Sequence, residues 1–250
     1  MKAKIRAERL TFEMPDAEEM PDRLDAVLEA IYAAYGSGWD EITAVDSRRK
    51  GLTDEAIYLG RMLAQFLPAD PEVHGLLALM LHCEARREAR RKEGDYVPLS
   101  EQDCALWSRS MIMEAESCLT IASQAGRIGH FQLLAAIQSL HAQRLWTGRI
   151  EWEKIALLYE GLVRMSPTLG ALVSRAAAVA ETYGTERGLA LLEAIPADEI
   201  VNYQPYWALA AHLYKRMNRS EDARSAYSRA IGLSADVSIR EFLRRQASNV

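Results

Sequence analysis

Three cysteines in 250 residues, at Cys83, Cys104 and Cys118, are too few and too scattered for a disulfide framework. None of them forms the CxxC spacing of a zinc or redox motif. Long apolar runs are also missing. No window approaches the roughly 18 consecutive apolar residues of a membrane span, and the charged start "MKAKIRAERLTFEMP" has no apolar signal-peptide core. Net positive charge is absent as well. The chain carries −5 at neutral pH, which disfavours broad nucleic-acid binding across its surface. These absences lead us to expect a water-soluble, cytoplasmic protein in a reducing compartment, with no membrane partner.

Strand-like alternation is scarce, and helical periodicity fills the space. After a basic lead-in at 1–15, an amphipathic helix is expected at about 21–35, with Leu24, Val27, Leu28, Ile31 and Tyr35 on one stripe, ended by "GSGW". A loop at 40–51 follows. A second helix starts at Thr53 or Asp54 and stops before Pro68. Asp70-Pro71 opens a third, which the pattern carries through "VHGLLALMLHCEARREARRK". A fourth is expected from the capping-box-like Ser100/Asp103 pair, through Leu106, Trp107 and Ile112. "HFQLLAAIQSLHAQRLW", "EWEKIALLYEGLVRM", "LGALVSRAAAVAETY" and "ERGLALLEAI" follow, then helices at about 204–217, 220–233 and 237–247.

Many helices on short links predict an all-α fold of stacked helical hairpins. The best repeat unit spans 204–237, where Trp207, Ala211, Tyr214, Ala223, Tyr227 and Ala230 occupy the tetratricopeptide (TPR) signature positions of a 34-residue period. Small Ala211 and Ala223 would let two antiparallel helices approach, with the aromatics filling the flanks. Ala235 stands where that family places proline. We expect a TPR-like right-handed solenoid with N-terminal flanking helices. The divisions would be a linker at 1–15, a helical region at 16–125 and degenerate TPR-like hairpins at 126–250, packed as one continuous unit.

The densest basic cluster is Arg86, Arg87, Arg90, Arg91 and Lys92. Glu84, Glu88, Glu93 and Asp95 interleave with it, so residues 84–95 carry a net charge of only +1. Spacings of three and four residues between acids and bases suit a solvated helix end. Arg86, Arg87, Arg90 and Arg91 are then candidates for contact with a protein partner. His82 and Cys83 are adjacent and point about 100° apart on a helix, while His74 lies two turns away. A packed or hydrogen-bonded pair of histidines is expected there, not a metal site. His130, His141 and His212 are isolated, and Trp39, Trp107, Trp146, Trp152 and Trp207 read as core anchors. GxSxG, GxGxxG, P-loop and HExxH motifs are absent. No catalytic residue, cofactor site or metal site is assigned.

Taken in order, "RAERLTFEMP", "MPDRLDAVLEAIYAAY", "AIYLGRMLAQFLPADPEVHGLLALMLHCEARREAR", "EQDCALW", "HFQLLAAIQSLHA", "WEKIALLYEGL" and "RAAAVAE…GLALLEAI" run from about residue 6 to 247. This series resembles the long C-terminal extension of a group of bacterial extracytoplasmic-function (ECF) RNA polymerase sigma factors. In that family the extension is TPR-like and follows two small domains that bind core polymerase and read the promoter. Two departures are "GSGW", where the family has an asparagine-glutamate-glycine-tyrosine turn, and Ser174, where it commonly has asparagine. A helix-turn-helix and a sigma core-binding region are both missing ahead of Met1. The resemblance therefore implies a regulatory interaction module that touches DNA only through sigma domains not found in this chain. Its partner would be those domains or the polymerase. A free-standing TPR-type adaptor is the alternative, and a small-ligand binder or enzyme using an inter-helix groove ranks behind it.

Overall fold

The computed structural model describes residues 20–39 and 51–250, and the chain divides into two compact units, Met1–Ala56 and Ile57–Val250. The basic lead-in and the loop expected at 40–51, apart from Gly51, lie outside the described residues. The described residues are mostly helical, with one two-stranded sheet.

In the first unit, α1 spans Met20–Trp39. It does not stop at "GSGW". The helix continues through those residues, and the Ser37 hydroxyl donates to the Ala33 carbonyl one turn back (2.9 Å). Leu28, Ile31 and Tyr35 are buried as the stripe predicts, whereas Val27 is exposed. Helix α2 spans Leu52–Phe66, with Asp54 and Glu55 in its first turn. The boundary between the units falls within it.

The second unit is organised by α3, Pro71–Glu84. The Asp70 carboxylate accepts from the amides of Glu72 and Val73, and Pro71 occupies the first helical position, where no N–H is needed. Most of this helix is buried, because it packs against both α4 (Arg109–Gln124) and α5 (His130–Ala142). Gly75 permits the crossing with α5. A Cβ at that position would lie 2.6 Å from the Gln132 amide nitrogen. Glu72 reaches across the same junction. Its carboxylate accepts from the amides of Phe131 (2.8 Å) and Gln132 (3.1 Å), capping α5, whose own N-cap is the side-chain-less Gly129.

Helix α3 does not run on through the arginines. It ends at Glu84 and gives way to a 3₁₀ turn at Glu88–Arg90 and a hairpin of β1 (Arg91–Lys92) and β2 (Asp95–Tyr96), paired antiparallel. Glu93 and Gly94 both have positive φ, the geometry of a tight two-residue hairpin turn. Residues 85–92 have good helix propensity, so tertiary contacts decide the outcome. Ala85 and Ala89 pack with Trp107, Ile112 and Ala142, and the Ser108 amide donates to the Ala85 carbonyl (2.8 Å). The fourth helix begins later than Ser100 predicts. Residues 99–106 form two short 3₁₀ turns, Leu99–Glu101 and Cys104–Leu106, and Ser108 caps α4.

Downstream, the helix expected through Trp146 breaks at Gln143, which leaves the one-turn α6 (Arg144–Thr147) after α5. Then come the expected α7 (Trp152–Met165), α8 (Leu169–Tyr183) and α9 (Thr185–Glu193), the one-turn α10 (Ala197–Ile200) that the pattern does not announce, and the expected α11 (Gln204–Arg216), α12 (Ser220–Leu233) and α13 (Val237–Ser248). Gly188 brings α9 against Ala176 and Ala180 of α8, where a Cβ would meet Ala180 Cβ at 2.4 Å. In the α11–α12 pair, Ala211, Ala223 and Ala230 are fully buried and Tyr227 nearly so. Trp207 and Tyr214 lie at the rim. The Trp207 indole donates to the Ile200 carbonyl (3.0 Å), and the Tyr214 hydroxyl donates to Glu193 (2.9 Å).

Packing neighbours form a closed circuit within the second unit. Helix α3 contacts α5, then the contacts pass through α7, α8, α9, α11, α12 and α13, and α13 returns to β2 just after α3. A division at 125/126 would cut the extensive packing of α3 on α5.

Candidate functional site

The four arginines proposed as a contact face do not share one. Arg86 is 8% exposed and faces inward. Its Nε donates to the His82 carbonyl (3.2 Å), and its Nη2 donates to Gln138 Oε1 on α5 (2.6 Å) and points at Cys83 Sγ (3.8 Å). Arg87 grips Glu84 with both nitrogens of a fork, with Nη2 to Oε2 at 2.8 Å. Arg90 is half-buried on the 3₁₀ turn. Arg91 reaches α13, pairing with Asp236 (2.5 Å) and donating to the Ser238 hydroxyl. The expected solvated helix end is therefore neither helical there nor free of the core. Interleaved charge along a sequence cannot distinguish a solvated face from side chains that staple distant elements together.

Arg91 belongs to a clasp that closes the circuit. Arg245 donates to Asp95 (3.1 Å), and the Tyr96 and Phe242 rings meet edge to face at 5.4 Å. Burial alone would push the Asp236 carboxyl up. Hydrogen bonds from Ser238, from Arg91 and from the amides of Ile239 and Ser238 outweigh it and hold the group at about 2. A polar hollow of about 430 Å³ lies beside the clasp, lined in part by Lys92, Asp95, Tyr96 and Arg245. A second hollow of about 440 Å³ is mainly apolar, with Leu119, Ile128, Leu133 and Leu158 on its walls.

His82 is buried, and burial, reinforced by the charge of Arg86, lowers its pKa to about 3. The neutral ring lies 3.4 Å from Glu116, which also accepts from Ser139, so the two are neighbours and not an ion pair. His141 is likewise buried and held neutral down to about 4 by burial and by Arg86 and Arg144. Its ring stands edge to face on Trp152 at 5.6 Å. His74 bonds the Pro68 carbonyl (3.0 Å). His74 and His82 are thus each buried, with separate environments. Among the described residues, no three His, Cys, Asp or Glu side chains are grouped to hold a metal. All three cysteines are free thiols.

Sequence reasoning passed over Arg144. Its guanidinium donates to the carbonyls of Leu99 (2.9 Å), Ser100 (2.9 Å) and Gln102 (2.7 Å) and lies over the Trp107 ring at 5.0 Å. It thereby fixes the turns of the "EQDCALW" block. Trp107 is the buried anchor expected there, whereas Trp146 is exposed. The side chain of Trp39 lies outside the described residues.

Residues 23–123 match a family of unknown function, DUF6596. Over its full 250 residues the chain is 37% identical to an uncharacterized protein of Rhizobium meliloti (strain 1021). The chain spans 59% of that relative's length. No solved structure matches. Among the described residues, no helix is long and apolar enough to cross a membrane.

Proposed function

We propose that this chain is a regulatory, non-enzymatic protein-interaction module of an ECF-type sigma factor, built as a TPR-like array, and that it acts in bacterial transcription initiation in the cytoplasm. The observation that supports it best is where the resembling blocks fall. "EVHGLLALMLHCEARREAR" is α3 and the turns after it, and "EQDCALW" is the turn docked beneath them by Trp107. "HFQLLAAIQSLHA", "WEKIALLYEGL" and "RAAAVAE…GLALLEAI" are α5, α7 and the α8–α9 pair, successive members of one packed circuit. These blocks fall on elements that touch one another, so the likeness they carry is one of scaffold and not of scattered composition. The small-residue crossing of α11 on α12 supports the TPR-like part. The Rhizobium relative has length to spare for the two sigma domains, since about two fifths of it lies outside the match.

The partner would be the sigma domains or core polymerase, with DNA reached only through them. The experiment is co-purification of this chain with ECF sigma domains and with core polymerase, followed by transcription in vitro with and without it. Capture of either, together with a change in transcript yield, supports the proposal. If neither is captured and yield is unchanged, the proposal fails, and a free-standing adaptor takes its place.

A further inference from the structure

Residues 91–97 form a small projection with two fixed roots. One root is Ala89, buried in the cluster around Trp107. The other is Leu99, which packs on the same cluster and whose carbonyl accepts from Arg144 (2.9 Å). Between them run β1, the Glu93-Gly94 turn and β2, closed by the Val97 amide donating to the Arg90 carbonyl (2.9 Å). A lone two-stranded hairpin has little stability of its own in water. Its order therefore comes from what it lies against, and the helix it packs on is α13.

That packing differs from the other links of the circuit. From α5 to α13 the helices are joined through two clusters of buried apolar side chains. The hairpin is joined to α13 mainly by charge. Arg245 and Asp95 are each at least half exposed, so their pair contributes little and is screened by salt. Arg91 on Asp236 and Ser238 is the stronger hold, because both charged side chains are mostly buried. Tyr96 adds its edge-to-face contact with Phe242. These contacts leave the seam unfilled. The polar hollow of about 430 Å³ lies within it, walled by Lys92 and Tyr96 from the hairpin and by Phe242, Arg245 and Asn249 from α13 and its end.

We propose that the hairpin, residues 91–97, is a flap over this hollow that swings away from α13 while the helices stay packed. Closed, it is latched by Arg91 on Asp236. Open, it bares the hollow and parts Tyr96 from Phe242, with Ala89 and Leu99 holding its two ends in place. Opening breaks a few contacts at one seam and none of the apolar helix packing, so it occurs far more often than unfolding of the unit. This device is independent of the protein–protein role above.

The test is amide hydrogen exchange, followed by NMR on the whole chain at neutral pH. It compares Val97, whose N–H closes the hairpin, with Leu81 in α3 and Leu243 in α13. Val97 should exchange about a hundredfold faster than Leu81. Its rate should not change in urea kept below the unfolding transition, whereas the rate at Leu81 should climb, because only global unfolding exposes much surface. Asp236→Asn removes the charge that latches Arg91 yet keeps a good N-cap for α13. It should speed exchange at Val97 about tenfold. Three results would each overturn the proposal. Val97 could share the rate and urea dependence of Leu81, so that the hairpin opens only when the unit unfolds. Leu243 could exchange as fast as Val97, so that α13 peels away and no flap moves. Val97 could also be indifferent to Asp236→Asn, so that the hairpin frays without leaving α13.

Discussion

Acidification from pH 7 to pH 5 should destabilise the second unit strongly, well before its carboxylates titrate. His82 and His141 sit near 6.5 when unfolded, but burial and the charge of Arg86 lower them to about 3 and about 4 in the fold. Both shifts are downward for basic groups, so between those values the unfolded chain binds protons that the folded chain refuses. Stability is complete above the unfolded pKa and is lost as pH falls below it. At pH 5 almost every unfolded molecule carries both protons, which costs the fold about 2 kcal/mol per imidazole, or about 4 kcal/mol for the two. That is a large share of a typical stability of about 5–15 kcal/mol. His212 is shifted in the same direction but is exposed and adds little. Asp236 falls outside this window, because its unfolded-state value is 3.8. Urea denaturation followed through tryptophan fluorescence at pH 7, 6 and 5 measures the loss, and His82→Gln should remove about half of it. Proton NMR of the ring carbons gives the direct check. A His82 or His141 resonance that titrates near 6.5 in the folded protein would refute the reasoning.

Gly75→Ala places a methyl group against the backbone of α5, which cannot swing aside as a flexible side chain can. It should cost about 1–3 kcal/mol in urea denaturation. A cost below a few tenths would show that α3 and α5 are not so closely crossed. For the clasp, a double-mutant cycle of Arg91→Met and Asp236→Asn should give a coupling energy of about 1–3 kcal/mol, since both side chains are largely buried and the hydrogen bond is charge-assisted. Additive effects would remove the clasp from the stability of the unit.

The clasp also shows where the sequence stops being legible. Periodicity locates α7 to α9 and α11 to α13 closely, because local signals mark the chain's turns there: Gly148, Ser166-Pro167, Gly184 and Pro196 interrupt the pattern. The buried alanines of α11 and α12 could be read for the same reason, since small residues at fixed spacing matter only where two helices meet. The sequence misplaces residues 85–92 and 100–107 as helix, because nothing local ends a helix at Glu84 or delays the next one to Ser108. Trp107 docks under Ala85 and Ala89, Gln138 accepts from Arg86, and Asp236 holds Arg91 from about 145 residues away. Each partner is polar or aromatic, and each is distant in sequence. A run of interleaved charges looks the same whether its acids are its own neighbours or lie across the fold. The arginines that read as one surface in the sequence are therefore divided among three tasks: Arg86 is buried against Gln138 of α5, Arg87 is paired at the end of α3, and Arg91 fastens α13 to the hairpin that follows α3.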